Sequence, residues 1–201
     1  MRYKIYVVMG LLTVAATTNA ADSISVFDMP LECPFTVIEC PYTHISKTAG
    51  YYNPPRSGIC YESMNDSKKG AHAAIGNDTV KIVWTSSPKI VSGAFGLAKI
   101  IDGNLEGVSF NTLGIVAQDR DLQLLSDKFG KPTQVNKLSM QNGYGAQFQS
   151  LSANWDLGDV LISYESAKNA IDSGLVIVDT LKGAADRKAT LDRLSRNRPS
   201  L

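Results

Sequence analysis

The chain has 201 residues, 44% of them hydrophobic and 19% charged, with 20 Lys and Arg against 19 Asp and Glu. That apolar share supports a packed core and excludes a disordered chain. A net charge of +1 leaves no strongly basic face for nucleic acid.

In chain order, Arg2 and Lys4 precede the apolar run Ile5–Val14, and the small residues of "AATTNA" follow, with Thr18 and Ala20 where a signal peptidase reads. The run is too short for a bilayer span, which takes about 20 residues. It predicts a signal peptide over 1–20 cleaved after Ala20, and so a periplasmic or secreted protein. No Cys follows the run directly, so a lipoprotein box is absent. Cleavage removes two bases and no acids, leaving a mature chain near −1 that fits one domain.

Residues 21–79 read as an irregular lead-in rich in Cys and Pro, holding short strands and loops. Within it, "ECPFTVIECPYT" (32–43) repeats Glu-Cys-Pro-aromatic-Thr, and Cys60 is the third cysteine. An exported chain meets oxidising conditions, so one disulfide ending at Cys60 is expected, with Cys40 ahead of Cys33 as its partner. Closing the 40–60 loop contributes about 3 kcal/mol in the chain-entropy model. Cys33, Cys40, His44 and Cys60 also form a conceivable zinc set, but their spacing lacks a C-x₂-C clip. A reactive thiol is disfavoured because Pro follows both Cys33 and Cys40, with no helix start beside them.

From residue 80 to 201 the pattern predicts an α+β domain. "VKIVWTS" (80–86) alternates as a strand, and 90–112 reads as two strands around the turn dipeptide Asp102-Gly103. A helix is expected over 117–129, with Leu122, Leu125 and Phe129 on one face, Asp119 and Asp121 at its positive end, and a stop at Gly130 and Pro132. Asn142-Gly143 marks a hairpin; strands follow through Trp155, over 160–165 and over 174–180. A basic helix closes the chain over 184–197, with Ala189, Leu191 and Leu194 as apolar anchors; its stripe of Arg187, Arg193, Arg196 and Arg198 reads as a solvated face, with contact to an acidic partner as the alternative. The expected fold is an antiparallel sheet with one helix on a face, a C-terminal helix, and a disulfide-stapled N-terminal segment.

Catalytic patterns are sparse. Gly-x-Ser-x-Gly, His-Glu-x-x-His and phosphate-loop motifs are missing. Ser86 and Lys89 match Ser-x-x-Lys without its companion motifs, and Pro88 opposes the helix that would aim the lysine. Asp119/Asp121 and Asp156/Asp159 read as helix-end and turn residues, and His44 and His72 as loop residues. Asn65 and Asn77 open glycosylation sequons that carry no weight behind a leader of bacterial style. Binding candidates are Tyr51, Tyr52 and Arg56 in "GYYNPPRSG" and Tyr144 at a hairpin tip, because Tyr and Arg anchor interfaces at low entropic loss.

Phe129 to Thr133, Asn142 to Phe148, Trp155 and Gly158-Asp159 together resemble a pattern in small exported bacterial proteins. The layout is loosely similar to β-lactamase inhibitor proteins and to a small outer-membrane assembly lipoprotein. The resemblance implies a helix on an antiparallel sheet, action by binding other proteins, and no catalytic residues or cofactor. The expected function is an exported, non-enzymatic protein-binding module: an inhibitor, an immunity-type protein or an envelope accessory. Its partner would be another envelope or extracellular protein. The alternative is a small periplasmic hydrolase using Asp, Glu, Ser or His residues.

Overall fold

The computed structural model describes residues 23–46, 49–53, 55–71, 75–141 and 145–196. Twelve strands appear among them. The lead-in carries β1 (Ser25–Val26), β2 (Met29–Pro30), β3 (Tyr42–His44), β4 (Gly50–Tyr52) and β5 (Ile59–Ser63). Next come β6 (Asp78–Trp84), β7 (Phe95–Ile101) and β8 (Asn104–Thr112), then helix α1 (Gln118–Phe129). The chain continues through β9 (Gln134–Gln141), β10 (Gln147–Asp156), β11 (Val160–Ala170) and β12 (Ser173–Thr180) into helix α2 (Leu181–Arg196).

Eight of the strands form one antiparallel sheet in the order β5-β6-β7-β8-β12-β11-β10-β9. It consists of two four-stranded meanders, each followed by a helix and joined through their last strands, β8 and β12. The Asp102-Gly103 turn closes β7 onto β8 with φ of 52° and 81°, the left-handed values that its sequence tolerates. The expected Asn142-Gly143 turn lies outside the described residues.

One face of the sheet is continuously apolar. Val80, Ala98, Val108, Val178, Ile162 and Trp155 belong to one buried cluster and pair in register from strand to strand across the sheet. Helix α1 covers this face with Leu122, Leu125 and Phe129, as its spacing of three and four dictates. The Trp155 indole N–H donates to Gly130 O (2.7 Å), where φ is 82°, and so fixes the helix end over the sheet. Beside α1, the same face is covered by Val26, Met29, Leu31 and Phe35 of the lead-in. Val26, Met29 and Leu31 are buried, and a fully buried side chain of this size contributes roughly 1.5–3 kcal/mol.

The opposite face carries α2, and its attachment differs from the expected one. Leu191 and Leu194 are 60% and 57% exposed and Ala189 is exposed, so none of the three anchors the helix. Polar groups do so instead. Thr180 Oγ1 accepts from Gly183 N (3.0 Å) as a cap and donates to buried Glu106 Oε2 (2.5 Å). Arg187 pairs with buried Asp179, and Lys99 with Asp186. Gly183 and Gly107 make room for this contact. A Cβ on Gly183 would run into Glu106 O, and one on Gly107 into the Asp179 carboxylate.

The α+β description with a stapled N-terminal segment is therefore corrected. The protein is mostly β, one eight-stranded antiparallel sheet with two small two-stranded sheets, β1-β2 and β3-β4, and two helices. The disulfide does not staple a separate leader: it ties residue 40 to β5, a strand of the main sheet. The sheet thus begins at Ile59, inside the stretch whose prolines mark it as irregular. That a short strand of the lead-in joins the main sheet escapes a local reading, because its five residues are recruited by β6.

Candidate binding groove and disulfide-anchored hairpin

The two Glu-Cys-Pro copies have the same local chemistry and different fates. The first docks on the β7–β8 turn: Glu32 N–H donates to Leu105 O (2.8 Å), Leu105 N–H to Cys33 O (2.9 Å), and Phe35 N–H to Gly103 O (2.9 Å). Cys33 remains a half-buried free thiol. The second copy lies along the outer edge of β5, where Cys40 N–H donates to Tyr61 O (2.7 Å) and Tyr61 N–H to Ile38 O (2.9 Å). Cys40 and Cys60 form the disulfide, with Cα atoms 5.0 Å apart. Bridging them removes two ligands from the conceivable Cys33, Cys40, His44, Cys60 zinc set.

Buried Glu39 of the second copy anchors the β3–β4 hairpin. Its Oε1 accepts from Tyr52 OH (2.6 Å) and Gly70 N (2.7 Å), and Tyr52 OH in turn accepts from Ser63 N (3.1 Å). Burial, then the hydrogen bond to Glu39, push the Tyr52 hydroxyl well above the ordinary tyrosine range. Tyr42 packs edge-on against Tyr52 (4.8 Å) and His44 (4.9 Å), in a slot that side chains on Gly50 or Gly70 would close.

The register pairs Tyr42 with Tyr52 and Thr43 with Tyr51, so adjacent tyrosines take opposite faces. Tyr52, expected among the binding residues, has its hydroxyl engaged in the anchor by Glu39 and Ser63. Tyr51, 53% exposed, and Arg56 remain on the surface. Tyr144, His72 and Arg198 lie outside the described residues.

Between the two docked copies, residues 35–38 form one wall of a groove of about 740 Å³. Phe27, Phe35, Val37, Ile38, Ile59 and Trp84 give it an apolar, aromatic lining, with Pro30, Pro34 and Pro88 among its other residues. Asp28 is the one ionisable side chain in that lining. The β1–β2 turn holds Phe27 and Asp28 at φ of 51° and 63°, uncommon for a phenylalanine, and sets the Phe27 ring edge-on to Trp84 (5.2 Å) and tilted against Phe110 (5.0 Å). Ile38 is 72% exposed at the rim.

Such a lining accepts apolar side chains and offers no paired acid and base. Sequence reasoning missed the groove, although the apolar residues of "FTVI" between the twin cysteines were a local hint. Elsewhere, Asp121 stands in the first turn of α1 as expected, fully buried and bonded by Arg120 (Nη2–Oδ1 2.8 Å). Ser86 and Pro88 line the groove. Asp156 caps its turn by accepting from Gly158 N (3.0 Å).

No protein-family model, curated protein or solved structure matches the chain.

Proposed function

We propose that this is an exported, non-enzymatic protein-binding module that seats an extended apolar segment of a partner protein in the groove. The observation that carries this reading is the groove itself, aromatic and proline-lined with a single carboxylate. The wall formed by residues 35–38 is held at both ends, by the hydrogen bonds of the first copy and by the disulfide and hydrogen bonds of the second, so little ordering entropy is lost on binding. Tyr51 and Arg56 supply nearby surface groups of the types that anchor interfaces. The leader-like N-terminus and the disulfide support export, and no helix among the described residues is long and apolar enough to cross a membrane. Inhibitor, immunity-type and envelope-accessory roles all use such a surface.

Capture from envelope extract tests the reading. The mature chain retains a stoichiometric partner, Ile38→Asp at the exposed rim abolishes retention, and Tyr51→Ala weakens it, both at unchanged melting temperature. An empty capture, together with hydrolase turnover that disappears in an Asp or His variant, overturns it in favour of the enzyme.

A further inference from the structure

The two edges of the eight-stranded sheet are treated differently. The chain covers β5 with its own residues 38–40, whereas β9 has every residue exposed and no strand beyond it among the described residues. An uncovered eight-residue edge is a template for another strand.

The direction of its free backbone groups follows from β10. Leu151 N–H donates to Ser166 Oγ on β11 (2.7 Å), and Thr133 N–H donates to Asn154 O on the β9 side (2.8 Å). Successive residues of a strand point their backbone groups to opposite sides. Ser150 and Ser152 therefore face β9, and their register partners Leu138 and Asn136 face back. The N–H and C=O groups of Val135, Lys137, Ser139 and Gln141 are left pointing outward, symmetrically about Leu138.

We propose that β9 pairs antiparallel with β9 of a second copy about a twofold axis through Leu138, joining two sheets into one. In this register Lys137 meets the second copy's Ser139 and Val135 its Gln141. All eight outward groups of each strand are then paired. Leu138, 56% exposed in the single chain, packs on its own copy, and Met140 meets the second copy's Asn136. Centring on Lys137 instead would oppose two ammonium groups, which destabilises a strand pair. The outward backbone groups are self-complementary about Leu138, Leu138 meets its own copy and no like charges are opposed, which selects a second copy as the occupant. The proposal is independent of the groove, which lies toward β5 and β6 at the other end of the sheet.

Sedimentation equilibrium of the mature protein should give twice the monomer mass. In a Cys33→Ser background, Leu138→Cys should oxidise to a symmetric covalent dimer, because directly opposed residues in the non-hydrogen-bonded positions have close Cβ atoms. Ser139→Cys should not, since its opposite is Lys137. Ser139→Pro removes an outward N–H and leaves the β10 ladder intact, so it should weaken the dimer about tenfold or more at unchanged circular dichroism. A monomer at every concentration, or a dimer indifferent to Ser139→Pro that crosslinks equally at 139, overturns the proposal.

Discussion

Arg187 of α2 grips Asp179 of β12 through two parallel hydrogen bonds, Nε to Oδ2 at 2.6 Å and Nη2 to Oδ1 at 2.9 Å. The carboxylate is buried, and the paired Asp179 holds the guanidinium above its ordinary pKa. An ion pair thus occupies the place of the apolar stripe that normally seats an amphipathic helix. Arg187→Met keeps the stem but strands a buried charge. It should lower stability by about 3 kcal/mol, the low end for a broken buried pair because about a third of the arginine is solvent-exposed. Adding Asp179→Leu should recover most of the loss. A double-mutant cycle from urea unfolding checks both statements, and additive losses contradict the pairing.

Gly183 should reverse the usual helix rule. Replacing a helical glycine by alanine ordinarily gains about 1 kcal/mol. Here the new methyl group meets the Glu106 carbonyl, so Gly183→Ala should instead destabilise by about 1–3 kcal/mol. Gly107→Ala, which crowds the Asp179 carboxylate from the sheet side, should act in the same direction. A rise in melting temperature for Gly183→Ala would show that α2 does not sit this close to β8.

Removing the disulfide should leave the sheet folded and loosen its edge. Cys40→Ser with Cys60→Ser loses roughly 3 kcal/mol from the opened loop, while β5 keeps its register with β6. The expected readout is a lower melting temperature with preferential proteolysis in residues 41–58. Cys33→Ser, by contrast, should leave thermal stability nearly unchanged.

Alkali should unfold the protein through buried tyrosines. Burial first, with Glu39 beside Tyr52 and Asp121 near Tyr164, raises both hydroxyl pKa values in the folded state. Unfolded tyrosine ionises near pH 10, so this stability is complete below about pH 10 and is lost as pH rises toward the folded values. Urea midpoints should fall between about pH 10 and 11.5, alongside delayed tyrosinate absorbance. Tyr52→Phe should be less stable at neutral pH, because Ser63 N and Glu39 each lose a bond, and should fall less steeply in alkali.

The sequence by itself determined what depends on neighbours in the chain. Alternation located β6; strands expected over 160–165 and 174–180 fall within β11 and β12; the Asp102-Gly103 turn marked a hairpin; three-and-four spacing oriented Leu125 and Phe129; and loop length with redox context favoured Cys40 as the partner of Cys60. Tertiary structure decided what depends on partners far along the chain. Tyr51 and Tyr52 are adjacent and identical, yet pairing across β3 turns one to solvent and the other to Glu39. Two copies of Glu-Cys-Pro part company because one meets the β7–β8 turn and the other the edge of β5. The five residues of β5 become a strand of the main sheet only because β6 is there to pair with them. Helix α2 leaves Leu191 and Leu194 largely exposed because Asp179 and Glu106, from β12 and β8, present polar groups where an apolar seat was expected. Local periodicity fixes the conformation of a segment; sidedness and burial are set by whichever distant surface it folds against.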